Sequence, residues 1–148
     1  MTSNRHTFHA GWGVMDSNAH MANTAYLDLA ADCRMMYFKA NGFSMDEFHK
    51  RGIGPVVRRD EIEYYREFRL LDEVEVELLL AGISEDGSRF RFKNVFRNAD
   101  GKTAAVVIST AGWLDIRKRA LTTPPEDLLK IINALPRTED FEEFASSL

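Results

Sequence analysis

Residues 24–40, "TAYLDLAADCRMMYFKA", restrict the possible folds of this chain more than any other stretch. Their spacing predicts a long helix, preceded by Asn23 as a suitable N-cap and ended by Asn41-Gly42, a left-handed stop. At 100° per residue, Asp28, Asp32 and Lys39 fall within a stripe about 40° wide, and nearly every other position is apolar. Such a helix is buried on most sides. Arg34 stands about 120° from the polar stripe, so it needs a buried or interfacial partner. Whatever surrounds this helix must offer it a broad apolar face.

The rest of the chain supplies one. Residues 5–14, "RHTFHAGWGV", alternate loosely and read as a short first strand. "SMDEFHKRG" reads as a short helix opened by Ser44 and closed by Gly52. After Gly54-Pro55 the period changes to two. Ile62, Tyr64 and Phe68 alternate with glutamates and Tyr65; Val74, Val76, Leu78 and Leu80 oppose Glu73, Glu75 and Glu77. Phe90, Phe92 and Phe96 then oppose Arg89, Arg91, Lys93 and Arg97, which suggests acid–base pairs across the solvated face. Glu85-Asp86-Gly87 and "NADG" mark hairpin turns, and "KTAAVVISTAGWLDI" reads as a long strand. A capped helix follows at "TPPEDLLKIINAL", and residues 136–148 are expected to fray. Strands grouped after one apolar helix argue for an α+β class, with an antiparallel sheet of about five strands, four of them a meander, wrapped around a long central helix, and with a C-terminal helix. One sheet cannot cover every side of that helix, so a homo-oligomer is expected, with dimer and tetramer both left open.

Length and charge narrow the function. At 148 residues, without repeats or a linker, the chain is expected to form a single domain over 1–148. A net charge of −4 argues against nucleic acid or an acidic membrane as partner. The apolar runs are too short to span a bilayer, and no apolar signal region is visible at the start. One cysteine, Cys33, excludes an internal disulfide and fits the cytoplasm; inside an apolar helix it reads as a small buried residue. The four histidines are scattered, so no metal is expected.

The residues ahead of the helix carry a resemblance. Asp16, Ser17, Asn18, Ala19, His20, Met21, Ala22, Asn23, Thr24, Ala25 and Tyr26 follow a pattern of roughly D-x-x-G-H-x-N-N-x-x-Y, with Ala19 for the glycine and Ala22 for the first asparagine. With the strand order and the segment "EYYREFRLLDEVEV", which holds Asp72 in a turn between strands, this resembles the hotdog-fold acyl-CoA thioesterases of the 4-hydroxybenzoyl-CoA thioesterase-like family. The resemblance covers roughly residues 8–116. Ala19 bears on the loop's backbone, because glycine is often used for positive φ.

The resemblance implies hydrolysis of an acyl-CoA thioester, with CoA as part of the substrate and no cofactor. It assigns Asp16 as general base, or as a nucleophile passing through a mixed anhydride. The helix start offers free N–H groups, among which that of Asn23 is the candidate to polarise the thioester carbonyl. His20 is left three roles: orienting the loop, bonding substrate, or holding Asp16. Tyr26 belongs to the motif and is expected to bind substrate. CoA carries phosphates, for which Arg58 and Arg59, or Arg117-Lys118-Arg119, are candidates. Two other readings stand beside this one. Hotdog hydratases place aspartate and histidine as D-x-N-P-x-H, whereas "DSNAH" lacks the proline and is one residue shorter. A non-catalytic acyl-CoA-binding module would have no need of the Asp16 carboxylate.

Overall fold

The long helix, α1, spans Ala25–Ala40 and is followed by a shorter one, α2, over Met45–Arg51. In the computed structural model, which describes residues 3–148, α1 lies against one curved sheet. The strands are β1 (Arg5–His9), β2 (Ile53–Tyr64), β3 (Glu73–Ser84), β4 (Arg89–Arg97), β5 (Thr103–Asp115), β6 (Ala120–Thr122) and β7 (Arg137–Phe144). Helix α3, Glu126–Asn133, precedes β7. The sheet order is β1-β3-β4-β5-β2, with β6 on β5 and β7 on β3.

The α+β class and the sheet around a central helix are as the sequence predicts, but the sheet has seven strands rather than about five. Two expectations are corrected. Only β3, β4 and β5 form a meander; β2 runs to the far side and pairs with β5 from Ile53↔Asp115 to Tyr64↔Ala105. Residues 137–144 do not fray. They pair in parallel with β3, beside the edge that β1 leaves free. The carbonyl of Pro136 accepts the Leu80 N–H at 2.9 Å, and Phe144 lies under the guanidinium groups of Arg89 and Arg91. An unpaired edge and two cations offer this charged segment more than solvent does.

The inner face carries the core. Val74, Val76, Leu78 and Leu80 of β3, Phe90, Phe92 and Phe96 of β4, and Ala105, Val107, Ala111 and Trp113 of β5 are buried. Against them α1 sets Tyr26, Ala30, Cys33, Tyr37 and Phe38. Phe38 meets the rings of Phe48, Phe92 and Trp113 with centroids 5.7–6.3 Å away. Truncating such a ring to alanine costs about 3–5 kcal/mol. On the side of α1 away from the core the polar stripe of Asp28, Asp32 and Lys39 is exposed, with the half-exposed Leu27 and Met36 on its two flanks.

Arg34 has the partners its position requires. Its guanidinium donates to Asn94 Oδ1 at 3.1 Å and Ser109 Oγ at 2.6 Å, and Ser109 donates in turn to Asp60 Oδ1 at 2.5 Å. Burial pushes the Arg34 pKa down, and Asp60 opposes that shift. The expected acid–base pairing on the outer face concentrates on Arg97, which reaches Glu77 at 2.8 Å and Glu75 at 3.5 Å; Arg91 turns instead to Glu142 of β7.

Candidate active site

Residues 15–21 fold back on themselves ahead of α1. Met15 and Met21 form an isolated antiparallel bridge, and the Asp16 N–H donates to the His20 carbonyl at 2.8 Å. Inside this loop, Asp16 Oδ1 accepts the N–H groups of Asn18 at 2.8 Å and His20 at 3.2 Å. A short carboxylate reaching the backbone two residues on is what aspartate does in turns. Its second oxygen, Oδ2, has no hydrogen-bond partner among the described residues. The carboxylate is therefore fixed through one oxygen and free at the other. Ala19 completes the loop at φ +63°, left-handed backbone at the position where the related motif has glycine. The alanine is accommodated there at a cost of about 1–2 kcal/mol.

Met21 ties the loop to the segment after β2, donating its N–H to the Phe68 carbonyl at 2.8 Å. Helix α1 then begins one residue later than the sequence suggests. Thr24 is the N-cap residue, in helical backbone and without a side-chain cap bond, so Asn23 is not the N-cap. The reason is the turn closed by Ala25 N–H on the Ala22 carbonyl at 3.0 Å, which takes Asn23 and Thr24 as its central residues. Among the described residues, the N–H groups of Asn23 and Thr24 meet no acceptor. The Asn23 peptide is held from its other side: the Tyr64 hydroxyl donates to its carbonyl at 2.9 Å.

His20 divides its bonding. Its main chain holds Asp16, while its ring Nε2 lies 2.9 Å from Glu67 Oε2. Tyr26 is buried, its ring edge-on to Tyr64 at 5.1 Å and tilted against Phe96 at 5.2 Å. Burial, followed by the charges of Tyr64, Asp16 and Glu67, pushes the Tyr26 phenol up to about 12, so it stays neutral at ordinary pH.

Asp16, His20, Asn23 and Tyr26 line one cleft of about 760 Å³. Tyr64, Arg66, Glu67 and Asn98 join them, and none of these four was singled out as a site residue by the sequence. Tyr64 carried a signal, since its alternation with Ile62 put it on the inner face; Glu67 and Asn98 carried none. Arg58 and Arg59 are not brought to this cleft. They line a separate one with Arg89 and Arg91, and Arg59 pairs with Glu61 at 3.3 Å. Arg117 lies beside Gly52, at the other end of β2. Asp72 serves the backbone, accepting the Arg69 N–H at 2.8 Å. Among the described residues no group of three or more His, Cys, Asp or Glu side chains is placed to hold a metal ion, and no helix is long and apolar enough to cross a membrane.

Comparison with known proteins places the fold. The thioesterase-like superfamily matches residues 10–132. No curated protein matches the chain in sequence. Among solved structures, a hypothetical protein from Staphylococcus aureus in complex with CoA aligns with a TM-score of 0.80 at 19% identity, covering 91% of this chain and 87% of its own. A 1,4-dihydroxy-2-naphthoyl-CoA thioesterase from Synechocystis aligns at 0.79 and 12% identity, covering 88% and 96%. A DHNA-CoA thioesterase from Staphylococcus aureus aligns at 0.80 and 16%, covering 88% of each chain. At these identities the likeness is one of fold, and the fold is the hotdog fold.

Proposed function

This chain belongs to the thioesterase-like superfamily, and from that premise we propose that it hydrolyses an acyl-CoA thioester to the free acid and CoA at the cleft around Asp16. The observation that carries the reading is the pairing of two unsatisfied elements: a carboxylate fixed through Oδ1 with Oδ2 free, and unpartnered N–H groups at the start of α1. Thioester hydrolysis needs both, one to deliver or be the nucleophile and the other to receive charge on the carbonyl oxygen.

Two courses fit the same atoms. As general base, Asp16 Oδ2 takes a proton from the water that attacks the carbonyl carbon; the C–S bond breaks and the proton passes to the departing thiolate. As nucleophile, Oδ2 attacks the carbon itself, CoA leaves as thiolate, and water cleaves the resulting mixed anhydride. In either course the carbonyl oxygen becomes an oxyanion, stabilised by the Asn23 N–H at the positive end of the helix dipole. One such donor contributes about 10²–10³-fold in rate. Tyr64 fixes the Asn23 peptide, His20 holds the loop through its main chain and Glu67, and the neutral Tyr26 phenol walls the substrate. No cofactor enters either course.

The same reading extends to assembly. Among the described residues β2 pairs with β5 alone, which leaves its other edge open along a strand bearing exposed Val57 and Tyr64, and a second copy of the chain is the proposed occupant of that edge. The cytoplasm, where thiols stay reduced, suits the free Cys33.

Release of free thiol across short, long and aromatic acyl-CoAs tests the activity. Turnover of at least one ester is expected. Addition of water to crotonyl-CoA without thiol release would instead identify a hydratase, and binding without either reaction a carrier or sensor.

A further inference from the structure

A second groove, of about 1130 Å³, lies on the outer face of the sheet. Its floor is Leu79, Val95 and Val106, one residue from each of β3, β4 and β5. Five cations border it against two acids, Glu139 and Asp140, in a chain whose net charge is −4. Two of the five are already engaged: Arg97 with Glu75 and Glu77, and Arg137 with the ring of Phe141. Arg66, Lys93 and Lys102 make no ion pair among the described residues.

This groove and the Asp16 cleft are neighbours that share walls. Tyr65 and Arg66 line both. Their N–H groups both donate to the Ala104 carbonyl, at 2.8 and 3.0 Å, which pins the shared wall to β5. The β4–β5 turn also borders both, giving Asn98 to the cleft and Lys102 to the groove. Asn98 Oδ1 accepts the Lys102 N–H at 3.0 Å, so the two sides of the turn are fixed relative to each other.

We propose that the outer-face groove seats the phosphate groups of CoA, with Arg66 at the junction and Lys93 and Lys102 beyond it. This rests on the acyl-CoA reading of the Asp16 cleft. A CoA ester has its reactive carbon at one end and its phosphates at the other, joined by a long neutral arm. A catalytic cleft opening sideways into a basic groove matches that order of chemistry. The apolar floor offers the adenine a face, and the unpaired cations offer the phosphates charge-assisted hydrogen bonds. The arginine cleft of Arg58, Arg59, Arg89 and Arg91 is the rival seat. It shares no wall residue with the Asp16 cleft, and two of its four guanidinium groups are engaged by Glu61 and Glu142.

Calorimetric titration with CoA and with adenosine 3′,5′-bisphosphate tests the seat without requiring turnover. The wild type is expected to bind both, Lys93→Ala/Lys102→Ala to bind both about tenfold more weakly, and Lys93→Arg/Lys102→Arg to bind as the wild type does. In kinetics, the ratio of kcat/KM for an acyl-CoA over the same acyl group on N-acetylcysteamine, which carries no phosphate, should fall about tenfold in the alanine pair. Equal affinity of wild type and alanine pair for both probes would overturn the proposal. So would a loss confined to Arg58→Ala/Arg59→Ala. A wild type that binds CoA through these lysines yet hydrolyses no thioester would leave the groove standing and remove the hydrolase reading instead.

Discussion

Asp16 shows how a surface aspartate becomes a candidate reagent without being buried. Two backbone N–H groups hold Oδ1, and the hairpin that supplies them is anchored on Phe68, so the free oxygen has a fixed direction. Ala19 bears the conformational strain of that hairpin. Ala19→Gly removes a left-handed Cβ cost of about 1–2 kcal/mol while adding about 0.5–1 kcal/mol of unfolded-chain entropy, so stability should be unchanged or raised by up to about 1.5 kcal/mol. Ala19→Val, β-branched at the same φ, should lower it. Urea denaturation of the two variants checks the pair, and a marked loss of stability in the glycine variant would contradict this account of the loop. Cys33 is the counter-example among reactive residue types. Burial pushes its thiol up to about 12, with Arg34 opposing and Glu77 adding to the shift. It should react with iodoacetamide only in denaturant, because the thiolate is the reactive species.

At the scale of elements, the helix and the loop before it were readable from sequence, and the segments that complete the site were not. Asp16, His20, Asn23 and Tyr26 are close in sequence, and local spacing sufficed to group them. Glu67 and Asn98 come from segments far along the chain, and only sheet pairing brings them to the same cleft. The shift of the N-cap from Asn23 to Thr24 turns on a single backbone hydrogen bond that composition does not reveal. Strand β7 was missed for a related reason: "RTEDFEEF" has weak strand character, and its partner is an edge that exists only after β3 and β1 have paired. Gly82 tests that docking. A Cβ there would collide with the Phe144 ring, so Gly82→Ala should speed amide hydrogen exchange over residues 137–144 and leave β3–β5 protected. The Arg34 network is a second test at this scale. Arg34→Ala strips the buried Asn94 of a donor and should cost about 2 kcal/mol in thermal or urea denaturation.

For the molecule as a whole, the same groups set a response to pH. The Cys33 thiol and the Tyr26 phenol each rise to about 12 in the fold from ordinary values of 9.0 and 10.0. Raised acids hold their protons longer in the folded state, so their contribution is fully present below about pH 9 and is lost as pH climbs toward 12. Stability measured by denaturant should fall across that alkaline window, and less steeply in Cys33→Ala. The open edge of β2 makes a second copy the expected neighbour, so light scattering should give at least twice the mass of one chain. The central proposal joins these scales: Asp16, with one oxygen free, cleaves a thioester in the cleft that it lines together with Asn23. The direct measurement is kcat of Asp16→Asn beside wild type on the best acyl-CoA, with circular dichroism confirming the fold. The variant keeps the shape and the hydrogen-bonding oxygen but loses the base or nucleophile. The account predicts a fall of about 10²-fold or more; a variant turning over at the wild-type rate would contradict it.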